Sequence, residues 1–247
     1  MNTTTSKLVL GMTVLFGCLA ALSPTASATS LILDLGPYQS GVGGEFNAYS
    51  SSLNPISMGY SPLAMANVGH GLGFETFCIE YNEEFVPGGT YNYTISQAAI
   101  HGGIPGGSDP LSLGTAWLYL NFAEGLLTGY DFTNGANRTT NAGQLQDTIW
   151  WLEGERPDPG AGNSFRNLVI THFGSAANAM ADNNGFYGVA VLNLYYLDGS
   201  LAQDQLLLVP DSGTTAVLLG AGLLGLFLFH RKVTRQRHAT AQLGRKR

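Results

Sequence analysis

Between residues 29 and 210 there is no lysine and one cysteine, and only three arginines, Arg138, Arg156 and Arg166, stand against 16 acids. The whole chain is 11% charged, far below the roughly 25% of ordinary soluble domains, which argues against a cytoplasmic housekeeping enzyme. A stretch with net charge −13 repels phosphate, so DNA and RNA are set aside as partners. With Cys78 as its sole thiol, the stretch cannot form an internal disulfide. That lone cysteine and the scattered His70, His101 and His172 have no metal-ligand spacing either. Phosphate-binding loops, calcium loops with full ligand spacing and internal repeats are also missing, and no cofactor or metal is expected.

The missing cations sit at the two ends. Lys7 precedes an apolar run from Leu8 to Leu22 and then Ala26-Ser27-Ala28, the small-x-small form of a signal peptidase site, so residues 1–28 read as a signal peptide. A lipoprotein box at Leu15-Phe16-Gly17-Cys18 fits poorly because of the bulky Phe16. Near the other end, residues 214–229 form an uncharged, predominantly apolar stretch. As a helix they span about 24 Å against a hydrocarbon core of about 30 Å, a short transmembrane segment. The tail that follows, 233–247, is basic and has no acid, which places it in the cytoplasm and residues 29–208 outside.

Immediately before the apolar segment stands Val209-Pro210-Asp211-Ser212-Gly213, and one residue after it Arg231-Lys232. Motif, span and basic anchor in this order resemble the VPDSG variant of the PEP-CTERM sorting signals, over residues 209–232. The resemblance implies a surface protein of a Gram-negative-type bacterium, handled by an exosortase-type membrane protease. It would pass through an inner-membrane intermediate to the cell surface or the exopolysaccharide-rich biofilm matrix. Pro-Asp-Ser-Gly also breaks helix and strand, and so presents an accessible peptide at the membrane face.

The intervening 29–208 are long enough for one core. Leu31–Leu35, Glu45–Tyr49, Gly73–Tyr81 and Thr90–Ser96 read as short strands bounded by turn residues. Three helices are expected next. The first is capped by Asp109 with Pro110 at its first position and carries Leu113, Ala116, Trp117, Leu120 and Leu127. The second runs from Thr140 or Asn141 to Gly154, and the third from Ser164 to Asp182. Tyr187–Leu197 and Leu201–Val209, joined by Asp198-Gly199-Ser200, read as a closing hairpin. Strands, then helices, then strands argue for an α+β fold rather than a parallel α/β sheet.

Two segments carry chemistry. Phe77-Cys78-Ile79-Glu80 lies on an expected strand and Gln146-Asp147-Thr148-Ile149-Trp150 on the second expected helix. In order and spacing they resemble the paired signatures of bacterial thioester domains, loosely over residues 72–155, with Thr148 departing from that family's usual Ala. The resemblance implies an internal thioester between the Cys78 sulfur and the Gln146 side-chain carbonyl. Such a bond needs a nucleophilic sulfur held against an amide in a site that excludes water. Gln146, Ile149, Trp150 and Glu153 share one helical stripe, so Trp150, with Phe77 and Ile149, is expected to shield the bond. Glu153, Glu80 or a tyrosine could move the proton.

Absence of lysine fits a protein that carries an acyl donor and must not acylate itself, and it excludes Lys–Asn isopeptide cross-links. The leading expectation is a single-turnover covalent adhesin rather than an enzyme, attacked by an amine or a polysaccharide hydroxyl of a surface partner. The alternative is a structural matrix protein in which the Cys–Gln bond is absent or only a staple, worth about 4 kcal/mol on the chain-entropy model. A Cys–His hydrolase is disfavoured, since His172 falls on an apolar helix stripe and His101 has no orienting carboxylate.

Overall fold

The computed structural model describes residues 29–66, 70–100 and 108–209, which form an α+β fold. The expected signal peptide, residues Pro210 to Gly213 of the sorting motif, the segment 214–229, Arg231, Lys232 and His101 lie outside the described residues. Among those described, no helix is long and apolar enough to cross a membrane.

Seven strands make one antiparallel sheet. In chain order they are β1 (Ser30–Leu35), β2 (Phe46–Tyr49), β3 (Met65–Ala66), β4 (Gly73–Thr76), β5 (Gly89–Ser96), β8 (Val189–Tyr195) and β9 (Leu201–Leu208), arranged β3-β4-β2-β1-β5-β8-β9. The remaining pair, β6 (Ala98–Ala99) and β7 (Asp109–Pro110), stands apart. Leu31 and Leu33 alternate inward from β1, as a strand with one buried face requires.

The two flanks of the sheet then meet. Leu206 N donates to Phe77 O at 3.1 Å, Ile79 N donates to Asp204 O at 3.2 Å, and Cys78 bridges Gln205. The segment after β4 thus closes onto β9, pairing backbone groups that an open edge would leave exposed. The expected strand Gly73–Tyr81 is therefore two pieces: four residues paired with β2, then a seam paired with β9. Cys78 sits in that seam.

Besides the one-turn helix α1 (Pro55–Met58), the helices are α2 (Leu113–Ala123), α3 (Ala136–Leu152), α4 (Ser164–Phe173) and α5 (Ala176–Ala179). Helix α2 packs against β8 and β9 on one side and α3, α4 and α5 on the other, which is why Ala116, Leu118, Tyr119 and Phe122 are all fully buried. Three expected boundaries need correction. Asp109 and Pro110 do not start α2: they pair with β6, and Leu111 and Ser112 continue extended through bonds to Gln97, Asn183 and a bridge to Asp182. The cap is Ser112, whose Oγ accepts from Thr115 N at 3.1 Å. Helix α3 begins at Ala136, earlier than Thr140, because Arg138 in its first turn is drawn into the core by Glu45 and Glu75. The third expected helix breaks in two at Gly174, whose φ of +79° is the left-handed conformation that ends helices, and Ser175 caps α5. The hairpin β8–β9 forms as expected, with Asp198 accepting from Ser200 N across Gly199.

Candidate functional site

The seam and α3 bring Cys78 and Gln146 together, 68 residues apart in sequence and both fully buried. Cys78 N donates to Gln146 Oε1 at 3.3 Å, Gln146 Nε2 donates to Cys78 O at 2.7 Å, and the thiol Sγ donates to Oε1 at 3.4 Å. The glutamine amide is therefore gripped by both backbone groups of the cysteine whose sulfur lies beside it. Burial pushes the Cys78 thiol far up; the Trp150 indole N–H opposes the rise, while Glu80 and Glu155 add to it. A site this dry disfavours thiolate and favours neutral sulfur, as thiol or as acyl thioester.

Trp150 is 3% exposed and packs edge-on against Tyr81, with ring centroids 5.0 Å apart. The Arg156 guanidinium lies 4.6 Å from the Tyr81 ring and 5.8 Å from that of Trp150, so an aromatic and cationic cover forms over this end of α3. Of the other expected shields, Ile149 is buried in the core one turn from Gln146. Phe77, the remaining expected shield, is fully buried. It packs edge-on against Phe122 of α2 at 5.0 Å, because neighbours on an extended segment face opposite sides and the Cys78 side is taken by Gln146.

A tight loop missed in the sequence completes the cover. Ser40 and Gly43 bond each other's backbone, and a Cβ on Gly43 would stand 2.4 Å from Gln146 Cγ and 2.5 Å from Trp150 Cη2. Only glycine lets the loop lie on the Gln146 side chain. Beside it opens a cleft of about 430 Å³, lined by residues that include Ser40, Gly43, Gln146, Asp147, Trp150 and Arg156. The run Gly41-Val42-Gly43-Gly44 was the signal available in the sequence, though nothing in it pointed to residue 146.

Thr148, the departure from the thioester-domain pattern, has a structural task here. Its hydroxyl donates to Gln144 O at 2.9 Å and pairs with Asn163 Oδ1 at 3.0 Å, and Asn163 caps α4. Glu153 does not serve Cys78: it accepts from Ser112 Oγ at 2.7 Å and from Ser112 N, and burial pushes its carboxyl up to about 7. His172 stacks on Trp117 at 4.1 Å and 14°, where α4 meets α2.

Arg138 fixes the height of α3. Its Nε donates to Glu45 Oε1 at 2.7 Å, its Nη2 to Glu45 Oε2 at 3.0 Å and to Glu75 Oε2 at 2.5 Å, and the Tyr38 ring lies 4.3 Å away. One cation thus holds two buried acids, and Glu75 is pushed up to about 8, first by burial and then by Glu45, against the pull of Arg138. The clamp ties the first turn of α3 to the sheet about 12 Å along the axis from Gln146. Sequence reasoning missed this triad, whose members are 63 and 93 residues apart.

Val209, the first residue of the sorting motif and the last described, is tied to the domain by its N–H to Gly188 O at 2.8 Å. A family model for the VPDSG-CTERM motif matches residues 209–233. Searches of curated proteins and of solved structures return no match. The C-terminal region is therefore an exosortase-type sorting signal, and the chain is an exported protein sorted at the membrane for the cell surface.

Proposed function

We propose that this surface protein forms an internal thioester between Cys78 Sγ and Gln146 Cδ and uses it once, for covalent attachment to an amine or hydroxyl on its partner. The observation that carries the reading is the double backbone grip on the Gln146 amide, with Sγ 3.4 Å from Oε1. In the forming step the sulfur adds to Cδ, the Cδ–Nε2 bond breaks, and the thiol proton leaves with nitrogen as ammonia. The Cys78 N–H already touches Oε1, the atom that carries negative charge in the tetrahedral intermediate, so one oxyanion donor is in place. In the second step a partner amine adds to Cδ, sulfur leaves and takes up the amine's proton, and an amide on residue 146 remains with a free Cys78 thiol.

Two features support attachment to cationic partners. The cleft that reaches Gln146 includes Asp147, and the stretch 29–210 carries net charge −13, which favours encounter with lysine-rich surfaces. The same stretch has no lysine of its own to acylate. A second reading, in which the bond only staples a matrix protein, is favoured by the complete burial of Cys78 and Gln146. Methylamine separates the two. The adhesin reading expects native protein to gain one methylamine at residue 146 and one titratable thiol at Cys78; resistance until the protein is unfolded favours the staple.

A further inference from the structure

On the far side of Cys78 the seam runs into a group of acids. Glu80, Glu83 and Asp204 each bring one carboxylate oxygen to within 4.8 Å of the others. Asp204 is placed there by a bulge in β9: Leu192 pairs with Gln205 and Leu194 with Ala202, so one extra residue is inserted on the β9 side. Its carboxylate accepts from Leu194 N at 2.9 Å and from Ile100 N at 3.3 Å, which fixes it. Glu80 is 2% exposed, and neither of its carboxylate oxygens has a hydrogen-bond partner. Beside it the buried Gln203 donates from Nε2 to the carbonyls of Glu80 and Glu83, at 3.4 and 3.0 Å, and its own Oε1 is left without a partner.

None of the three arginines in this stretch serves these acids. Arg138 holds Glu45 and Glu75, Arg166 holds Asp158, and Arg156 lies over Tyr81. Burial, and then the neighbouring Glu83 and Asp204, push Glu80 up to about 10, so without a cation it holds a proton yet still leaves both oxygens unsatisfied; a cation is the partner that would satisfy all three acids together. Every donor is oxygen, which selects a hard ion. Ca²⁺ bonds oxygen at about 2.3–2.6 Å and tolerates irregular geometry, so two of its ligands can stand up to about 5 Å apart, whereas Mg²⁺ demands a tighter octahedron.

We propose that Glu80, Glu83 and Asp204 bind a Ca²⁺ ion that fastens the loop after the seam to β9. The ion offsets two of the cluster's three negative charges and locks the closure in which Cys78 sits, so this is a structural cation site independent of whether the thioester forms.

The test is titration of the full chain, purified in detergent, with CaCl2 by calorimetry, alongside thermal unfolding in CaCl2, in MgCl2 and in EDTA. Saturating CaCl2 is expected to raise Tm by about 5–10 °C over EDTA, with MgCl2 giving a clearly smaller rise. Glu80→Gln and the half-buried Glu83→Gln should each abolish the response. In EDTA both variants should melt no lower than the wild type, since each removes repulsion, and that shows the loss of response is not misfolding. Equal Tm in CaCl2 and EDTA with no binding heat, equal responses to the two salts, or a response that survives both substitutions would overturn the site. Neither readout involves Cys78 or Gln146, so failure here leaves the thioester proposal standing.

Discussion

Arg138→Met lowers the melting temperature by about 10 °C at neutral pH. The substitution roughly keeps the volume of the stem but leaves Glu45 and Glu75, 0% and 5% exposed, facing each other with no cation. Removing one partner of a buried ion pair costs about 3–5 kcal/mol, because the charge left behind is neither solvated nor paired. In a domain of this size each kcal/mol moves Tm by about 2–4 °C. Adding Glu45→Gln, which removes the acid that Arg138 grips with two bonds, should recover part of it. Thermal unfolding followed by circular dichroism at pH 7.5 reads both. An unchanged Tm would mean that α3 is positioned by packing alone and that the clamp has no part in delivering Gln146.

Stability should also fall as pH rises from 5 to 8, the reverse of what salt-bridged carboxylates produce. Burial raises Glu153 to about 7 and is the main cause that raises Glu75 to about 8, whereas both sit near 4.5 in an unfolded chain. The folded state therefore binds the extra protons more tightly. Its advantage is complete below about pH 4.5 and is lost as pH climbs through 7 and 8. For Glu153 alone the loss is about 3 kcal/mol, taking 1.36 kcal/mol per unit. Glu153→Gln keeps acceptor oxygen for Ser112 and removes the titration, so the melting curve of that variant should depend less steeply on pH. Measurement in EDTA keeps any ion at Glu80 and Asp204 out of the comparison. Stability that increases from pH 5 to 8 would contradict burial as the governing effect on these acids.

Local signals in the sequence located most of the strands and the closing hairpin. The short apolar run Leu31-Ile32-Leu33 and the Asp198-Gly199-Ser200 turn are short-range features that tertiary contacts leave intact. Where tertiary pairing competes, the local reading fails. Asp109-Pro110 has the form of a helix start, yet β6 and the Ser112–Asp182 bridge hold it extended, and the helix waits for Ser112. Gly174-Ser175 is an end signal followed by a start signal, and the apolar periodicity across it concealed both.

The site was legible in an uneven way. Gln146 and Trp150 are one turn apart and share a helix stripe that any reading of α3 finds. Their apposition to Cys78 entered through the resemblance to thioester domains, and the structure places Cys78 and Gln146 in hydrogen-bond contact. Closure of the sheet was not legible, because it depends on residues 77–79 meeting 204–206 across more than a hundred positions. The acids at Glu80, Glu83 and Asp204, which meet across that closure, were hidden with it, and the β9 bulge and the Gly43 loop on Gln146 likewise depend on contacts between distant residues.

The most direct measurement is the intact mass of residues 29–208, purified without reducing agent, beside Cys78→Ala and Gln146→Ala. The account predicts a wild-type mass lower than its sequence by one ammonia, with both variants at their full sequence mass and Cys78 untitratable in the native wild type. A wild-type protein at full sequence mass with a titratable Cys78 thiol would contradict it.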